Sequence, residues 1–267
     1  MMNKQIIIPF IELIKRSLSN VLLNNDFIIK TICIPAIILT GVGLLPINPL
    51  IAFLISGLLA NFVSVYWCRK IILNEDVAKD NLHLREVWNY LCKYILFILI
   101  FLAPIVLLVM VWAILNYATI KTTESASEVY IITSIVSIIA LFFWVRLRMA
   151  LAATAVGDKE LGFRLAFTLS RGNSYRLFFA LIAIMLPVWV ATQAWSTLYG
   201  FCASNFILIA IWNLVFYGLN MLAAAFYASY DAHVYQYFSY FYRKAIEDGE
   251  AQEAGQLVEE KIKARRD

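Results

Sequence analysis

The stretch from Leu177 to Tyr230 reads LFFALIAIMLPVWVATQAWSTLYGFCASNFILIAIWNLVFYGLNMLAAAFYASY and holds no charged residue. A helix rises about 1.5 Å per residue, and the hydrocarbon core of a bilayer is about 30 Å thick. One helix of this length would overshoot that core, so the chain has to fold back inside the run. The break is expected at Tyr199–Asn205, where Gly200, Ser204 and Asn205 interrupt the apolar pattern. Hydrocarbon offers no partner to a backbone N–H or C=O, which leaves helices as the spanning element here.

Four more runs lie upstream. Phe27–Leu45 carries a single charge, Lys30, placed where it can reach the interface, and Ile47–Trp67 carries none. Tyr94–Ile120 is also uncharged. Val129–Val145 is shorter and continues through Arg146 and Arg148 into another apolar stretch. The sum is about six transmembrane helices. The expected fold is all-α, a polytopic membrane helical bundle over residues 1–240, followed by a charged cytoplasmic tail over 241–267.

Composition supports this solvent. Hydrophobic residues make up 62% of the chain and charged residues 15%, with a mean hydropathy of +0.77. Soluble domains carry about 25% charged residues. The net charge of +4 has a topological reading. With the N-terminus inside, every one of the 22 Lys and Arg residues except Lys121 falls on the cytoplasmic side of the spans. The basic excess then faces anionic headgroups, and nucleic acid is not an expected partner. The localisation implied is a membrane crossed several times, with both termini cytoplasmic. The short run Ile6–Ile8, interrupted by Pro9 and Glu12, does not form a cleavable leader.

The spans group into three hairpins. Each opens with a proline-bearing helix, at Pro35, Pro104 and Pro187, where the missing donor favours a kink. A cytoplasmic amphipathic segment precedes each, at Pro9–Asn24, Leu82–Lys93 and Glu160–Ser170. In the first, Phe10, Leu13, Ile14, Leu18, Val21 and Leu22 recur at helical spacing, suiting a helix in the interface. Gly172 is placed to end the third, with Asn173 or Ser174 capping the next helix. The endings Trp67-Cys68-Arg69 and Trp144-Val145-Arg146 match in the first two hairpins.

The segment RLRMALAATAVGDKELGFRLAFTLSRGNSYRLF, Arg146 to Phe178, carries a family pattern. A span ends in arginine, then come small residues, a short acidic or glycine turn, and an amphipathic helix closing in S-x-x-L-[ST]-x-G-x-x-x-R-L. The matching residues are Leu169, Ser170, Gly172, Arg176 and Leu177, while Ala166 stands at the first serine. This pattern is similar to that of the YciC-like family of bacterial inner-membrane proteins. It also resembles the membrane domain attached to some glycerophosphodiester phosphodiesterases. The resemblance implies an inner-membrane location. The chain has no soluble phosphodiesterase domain, so that activity is not implied.

Candidate sites divide into sharp and bland readings. His83 and His233 lie far apart without a ligand cluster, and Cys33, Cys68, Cys92 and Cys202 show no metal or disulfide spacing, so no metal and no cofactor is expected. Ser229, Asp231 and His233 do not form a triad, because on a helix the acid points about 200° away from the other two. No catalytic residue is assigned. The neutral residues Thr40, Asn61, Ser64, Ser134, Ser137, Thr192, Gln193, Asn213 and Asn220 suit interhelical hydrogen bonds. A stripe of Ser56, Ala60 and Ser64 admits a neighbouring helix. Arg146, Arg148, Arg164, Arg171 and Arg176 are the candidate contacts for an anionic lipid headgroup, since guanidinium grips phosphate bidentately. The expected function is a non-enzymatic membrane protein supporting membrane integrity or assembly. Its partners would be membrane lipids and a membrane-protein partner or second copy. The alternative is a small-solute or lipid transporter hinged at the three prolines, with a central cavity lined by Asn61, Gln193 or Asn213.

Overall fold

The computed structural model describes residues 8–75, 84–115, 138–202 and 205–247, with side chains omitted at 101–106, 108–109, 111–115 and 245–247. The described chain is 88% helical with no strand, as an all-α fold requires. Helix α1 is Phe10–Leu23. Helix α2, Asn25–Leu44, and helix α3, Pro49–Leu73, form the first hairpin. Helices α4, Leu84–Leu115, and α5, Ile138–Ala155, form the second. A short helix α6, Phe163–Leu169, leads into the third, made of α7, Ser174–Ser196, and α8, Phe206–Glu247.

Among the described residues, five helices are long and apolar enough to cross a membrane: α2, α3, α5, α7 and most of α8. The remaining expected span, 94–120, falls on α4 and then runs outside the described residues. So do 129–137, Lys121, Ser134, Ser137, His83 and the tail beyond 247.

Local chemistry explains the boundaries. The long uncharged run breaks where the sequence predicts. Helix α7 ends at Ser196, a single turn occupies Tyr199–Cys202, and Asn205 caps α8 by accepting from the backbone N–H of Ile207 at 2.9 Å and Leu208 at 3.3 Å. Asn48 likewise accepts from Leu50 N–H at 2.9 Å, with Pro49 in the first turn of α3 where its missing N–H costs nothing. The three prolines do not all act alike. Just before Pro35, residues Ile29–Cys33 widen into a π turn, a familiar response to a lost ladder bond. Helix α7 runs on through Pro187, and the backbone of α4 stays helical through Pro104.

Two expectations need correction. The second amphipathic segment, Leu82–Lys93, is not a separate element: from Leu84 it forms the first turns of α4. The spans also run further than the uncharged stretches, since α3 reaches Leu73 and α8 reaches Glu247. Arg69, Arg148 and Asp231 therefore sit inside helices and are buried, where the sequence reading places charges only at the edges.

Helix α8 is the central post. It packs on α1, α2, α3, α5 and α7. Ala225, Ala228 and Ala232 are fully buried on it, and such small side chains let neighbouring helices come close. The tight core gathers at one end of the bundle, from Val63 to Arg69 on α3, Arg148 to Ala155 on α5, and Met221 to Ser239 on α8. The other end exposes Leu50, Phe53, Phe201, Phe206 and Ile207, the surface expected against lipid.

Candidate functional site: the arginine-bearing end of the bundle

Around two turns of α8, consecutive side chains bond different elements. Cys68 on α3 approaches the Ala228 carbonyl at 3.5 Å. Ser229 donates to the Ser17 carbonyl on α1 at 3.0 Å, and the Tyr230 hydroxyl donates to the Leu177 carbonyl on α7 at 3.0 Å. Asn20 Nδ2 meets His233 Nε2 at 2.7 Å, while His233 Nδ1 faces Gln236 Oε1 at 3.2 Å. Tyr235 donates to Asp158 Oδ2 at 2.7 Å, and Gln236 donates to the Ile71 carbonyl at 2.9 Å. Ser229 and His233 thus face α1, and Asp231 faces α5, which is the divergence that helical spacing requires.

Asp231 is fully buried and meets Arg148 in a two-pronged pair, Nε to Oδ1 at 2.6 Å and Nη2 to Oδ2 at 2.7 Å. The Arg148 guanidinium also lies 4.4 Å from the Tyr227 ring centre. Arginine's rigid fork matches a carboxylate, and the ring faces another side of the charge. Arg148 is thus turned into the bundle, 5% exposed, and cannot serve as the headgroup contact the sequence suggests.

The other arginines sort into two kinds. Arg69 grips Glu75 through Nε and Nη2, at 2.6 and 2.9 Å, and donates from Nη1 to the Ala155 carbonyl at the end of α5 at 3.1 Å. Arg146, two positions before Arg148 and so on the opposite face, donates to Ser170 Oγ at 3.2 Å and to the Phe167 carbonyl at 2.6 Å. Its guanidinium stacks 3.5 Å from the Phe167 ring centre, holding α6 against α5. Arg164, Arg171 and Arg176 are exposed, and Arg176 lends one N–H to the Ile8 carbonyl at 3.3 Å.

The turn between α6 and α7 places Arg171 and Arg176. Gly172 adopts φ +87°, a conformation L side chains resist, and lets the chain reverse. Asn173 stands at the N-cap of α7, one of the two positions expected, but its side chain makes no capping bond. Its Oδ1 instead accepts from the Ile8 N–H at 3.1 Å, so Ile8 is held between Asn173 and Arg176. Exposed Tyr175 (72%) and Phe179 (55%) flank Arg176 at the start of α7.

The neutral polar residues within the spans mostly bond their own helix. Thr40, Asn61, Ser64, Thr192 and Asn220 each donate to the carbonyl four residues earlier. Asn61 and Asn213 are buried while Gln193 is exposed, so the three do not share one lining. Ser64 is buried on α3, which packs on α8. Among the described residues no group of three His, Cys, Asp or Glu could hold a metal ion.

No family model, curated protein or solved structure matches this chain. The fold and the arginine geometry therefore carry the functional argument.

Proposed function

We propose that this chain is a non-enzymatic integral membrane protein of the bacterial inner membrane that supports membrane integrity or assembly by holding anionic lipid headgroups at Arg164, Arg171 and Arg176. One observation carries the reading: Arg171 and Arg176 stand exposed at the entry to α7, with Tyr175 and Phe179 exposed beside them. Aromatic rings beside cations at a helix entry suit the boundary between headgroups and acyl chains. Arg69 and Arg148 are buried and Arg146 is bonded to α6, so the lipid role passes to the outer three. The internal bonding of Asn61, Thr40 and Thr192 weighs against the transporter alternative, because those groups need no solute to satisfy them. The resemblance of residues 146–178 to the YciC-like family supports the inner-membrane location.

The test is Arg164→Ala with Arg171→Ala, leaving Arg176 to hold Ile8. A basic side chain near an anionic surface contributes about 1 kcal/mol, so the double variant should lose most co-purified phosphatidylglycerol and cardiolipin while its melting temperature in detergent stays unchanged. Lipid mass spectrometry showing wild-type amounts would remove the proposal.

A further inference from the structure

A cleft of about 1070 Å³ opens between the end of α3, the turn from Val156 to Glu160 and the last turns of α8. Its size sits at the top of the range for small-ligand sites, about 300–1,000 Å³. The chemistry of its walls is mixed. Lys159, Arg243 and Lys244 supply three cations, and Asp158 and Glu160 supply two carboxylates. The two acids differ in their engagement. Asp158 accepts from the backbone N–H groups of Glu160 at 2.9 Å and Leu161 at 3.3 Å, and from Tyr235 at 2.7 Å. It belongs to the wall. Glu160 is exposed and lines the same cleft as the three cations. Ile72 and Leu73 close the cleft on the α3 side with apolar surface.

Three cations and one outward carboxylate on a partly apolar wall form a pattern with a definite complement. A phosphate ester takes the Lys and Arg side chains as charge-assisted donors. A lone carboxylate among those donors would repel a simple polyanion but pairs with an ammonium group on the same ligand. We infer that this cleft binds a phosphate monoester or diester carrying a primary amine, with Lys159, Arg243 and Lys244 on the phosphate and Glu160 on the amine. A lipid headgroup and a free aminoalkyl phosphate share this chemistry. The site is independent of the outer arginines of α6 and α7.

The test uses the full chain, purified in non-ionic detergent and stripped of lipid. Calorimetric titration with phosphorylethanolamine should show binding. Lys159→Ala with Lys244→Ala should weaken it at least tenfold, and Lys159→Glu alone should do so too; all are exposed positions where folding is little disturbed. Glu160→Gln should weaken phosphorylethanolamine binding and strengthen inorganic phosphate binding, since the repelling carboxylate is gone. Arg164→Ala with Arg171→Ala should change neither. Retention of phosphatidylethanolamine in native mass spectrometry, displaced by the soluble headgroup, assigns the ligand to the lipid; soluble binding without retention assigns it to a free ester. Absence of phosphorylethanolamine binding overturns the inference. So does unchanged affinity in the lysine variants, or a Glu160→Gln effect equal for both ligands.

Discussion

Arg148 and Asp231 show how a charge is tolerated inside a membrane protein. Each is costly alone in a medium of low dielectric, and the pair persists because both carboxylate oxygens and two guanidinium nitrogens are matched. Removing one partner leaves the other buried and uncompensated. Asp231→Asn should therefore destabilise the chain by about 3–5 kcal/mol, and Arg148→Met should do the same. The double variant Arg148→Met with Asp231→Leu should recover most of that loss, because neither charge then remains. Thermal unfolding in detergent measures all three; a double variant as weak as either single one would show that the pair contributes more than mutual neutralisation. Sequence spacing alone separates Asp231 from Ser229 and His233 by helical angle. It does not reveal the partner, which lies 83 positions away and reads as the edge of another span. The available signal was the apolar sequence continuing past each charge, Met149–Ala155 after Arg148 and Val234–Tyr235 after Asp231.

Helix termini and turns were the most legible features, because their chemistry is local. Asn205 and Gly172 act where the sequence reading places them, while the cap at Asn48 and Pro49 lies inside the run read as Ile47–Trp67. Asn173 takes the N-cap position that the sequence offers to it or Ser174, but its side chain bonds Ile8, 165 positions distant. Once α7 and α8 fold back on each other, Trp195 and Trp212 fasten the hairpin reciprocally, each indole N–H donating to the other's carbonyl at 3.1 and 3.0 Å. Close helix approach, by contrast, depends on which faces meet. Gly41 and Gly43 lie two positions apart on α2 and read alike in sequence. A Cβ at Gly43 would come 3.0 Å from the Tyr217 hydroxyl and 3.2 Å from its ring, whereas one at Gly41 meets nothing within 4 Å. Gly43→Ile should cost about 1–3 kcal/mol by overpacking the α2–α8 contact. Gly41→Ala should instead stabilise by about 0.5–1 kcal/mol, since a helix loses less backbone entropy with alanine. Melting temperatures that move in the same direction for both would contradict the packing described.

The 42 residues of α8 extend about 63 Å at the helical rise, roughly twice the hydrocarbon thickness. Only part of the helix can lie in lipid. The exposed apolar half near Phe206 suits that environment, and the polar hub from Ser229 to Gln236 then stands near one headgroup layer or beyond it. Bonds from Arg69 to Ala155, Gln236 to Ile71 and Tyr230 to Leu177 bring the ends of α3 and α5 and the start of α7 to this same end. Segments that the distribution of lysine and arginine assigns to one side of the membrane are thus joined physically, although charge counting knows nothing of contacts. The sequence cannot supply that joining, since each bond crosses more than 50 positions. Positive charge favours the cytoplasmic face, so fluorescent or phosphatase reporters placed after Lys159 and after Lys244 should both report cytoplasm. A reporter in the turn at Asn48, at the opposite end of α3 from Arg69, should report the outside. Reporters at Lys159 and Lys244 on different sides would break the shared end of the bundle. Agreement between those two, combined with an Asn48 reporter on their side, would instead mean that α3 does not cross.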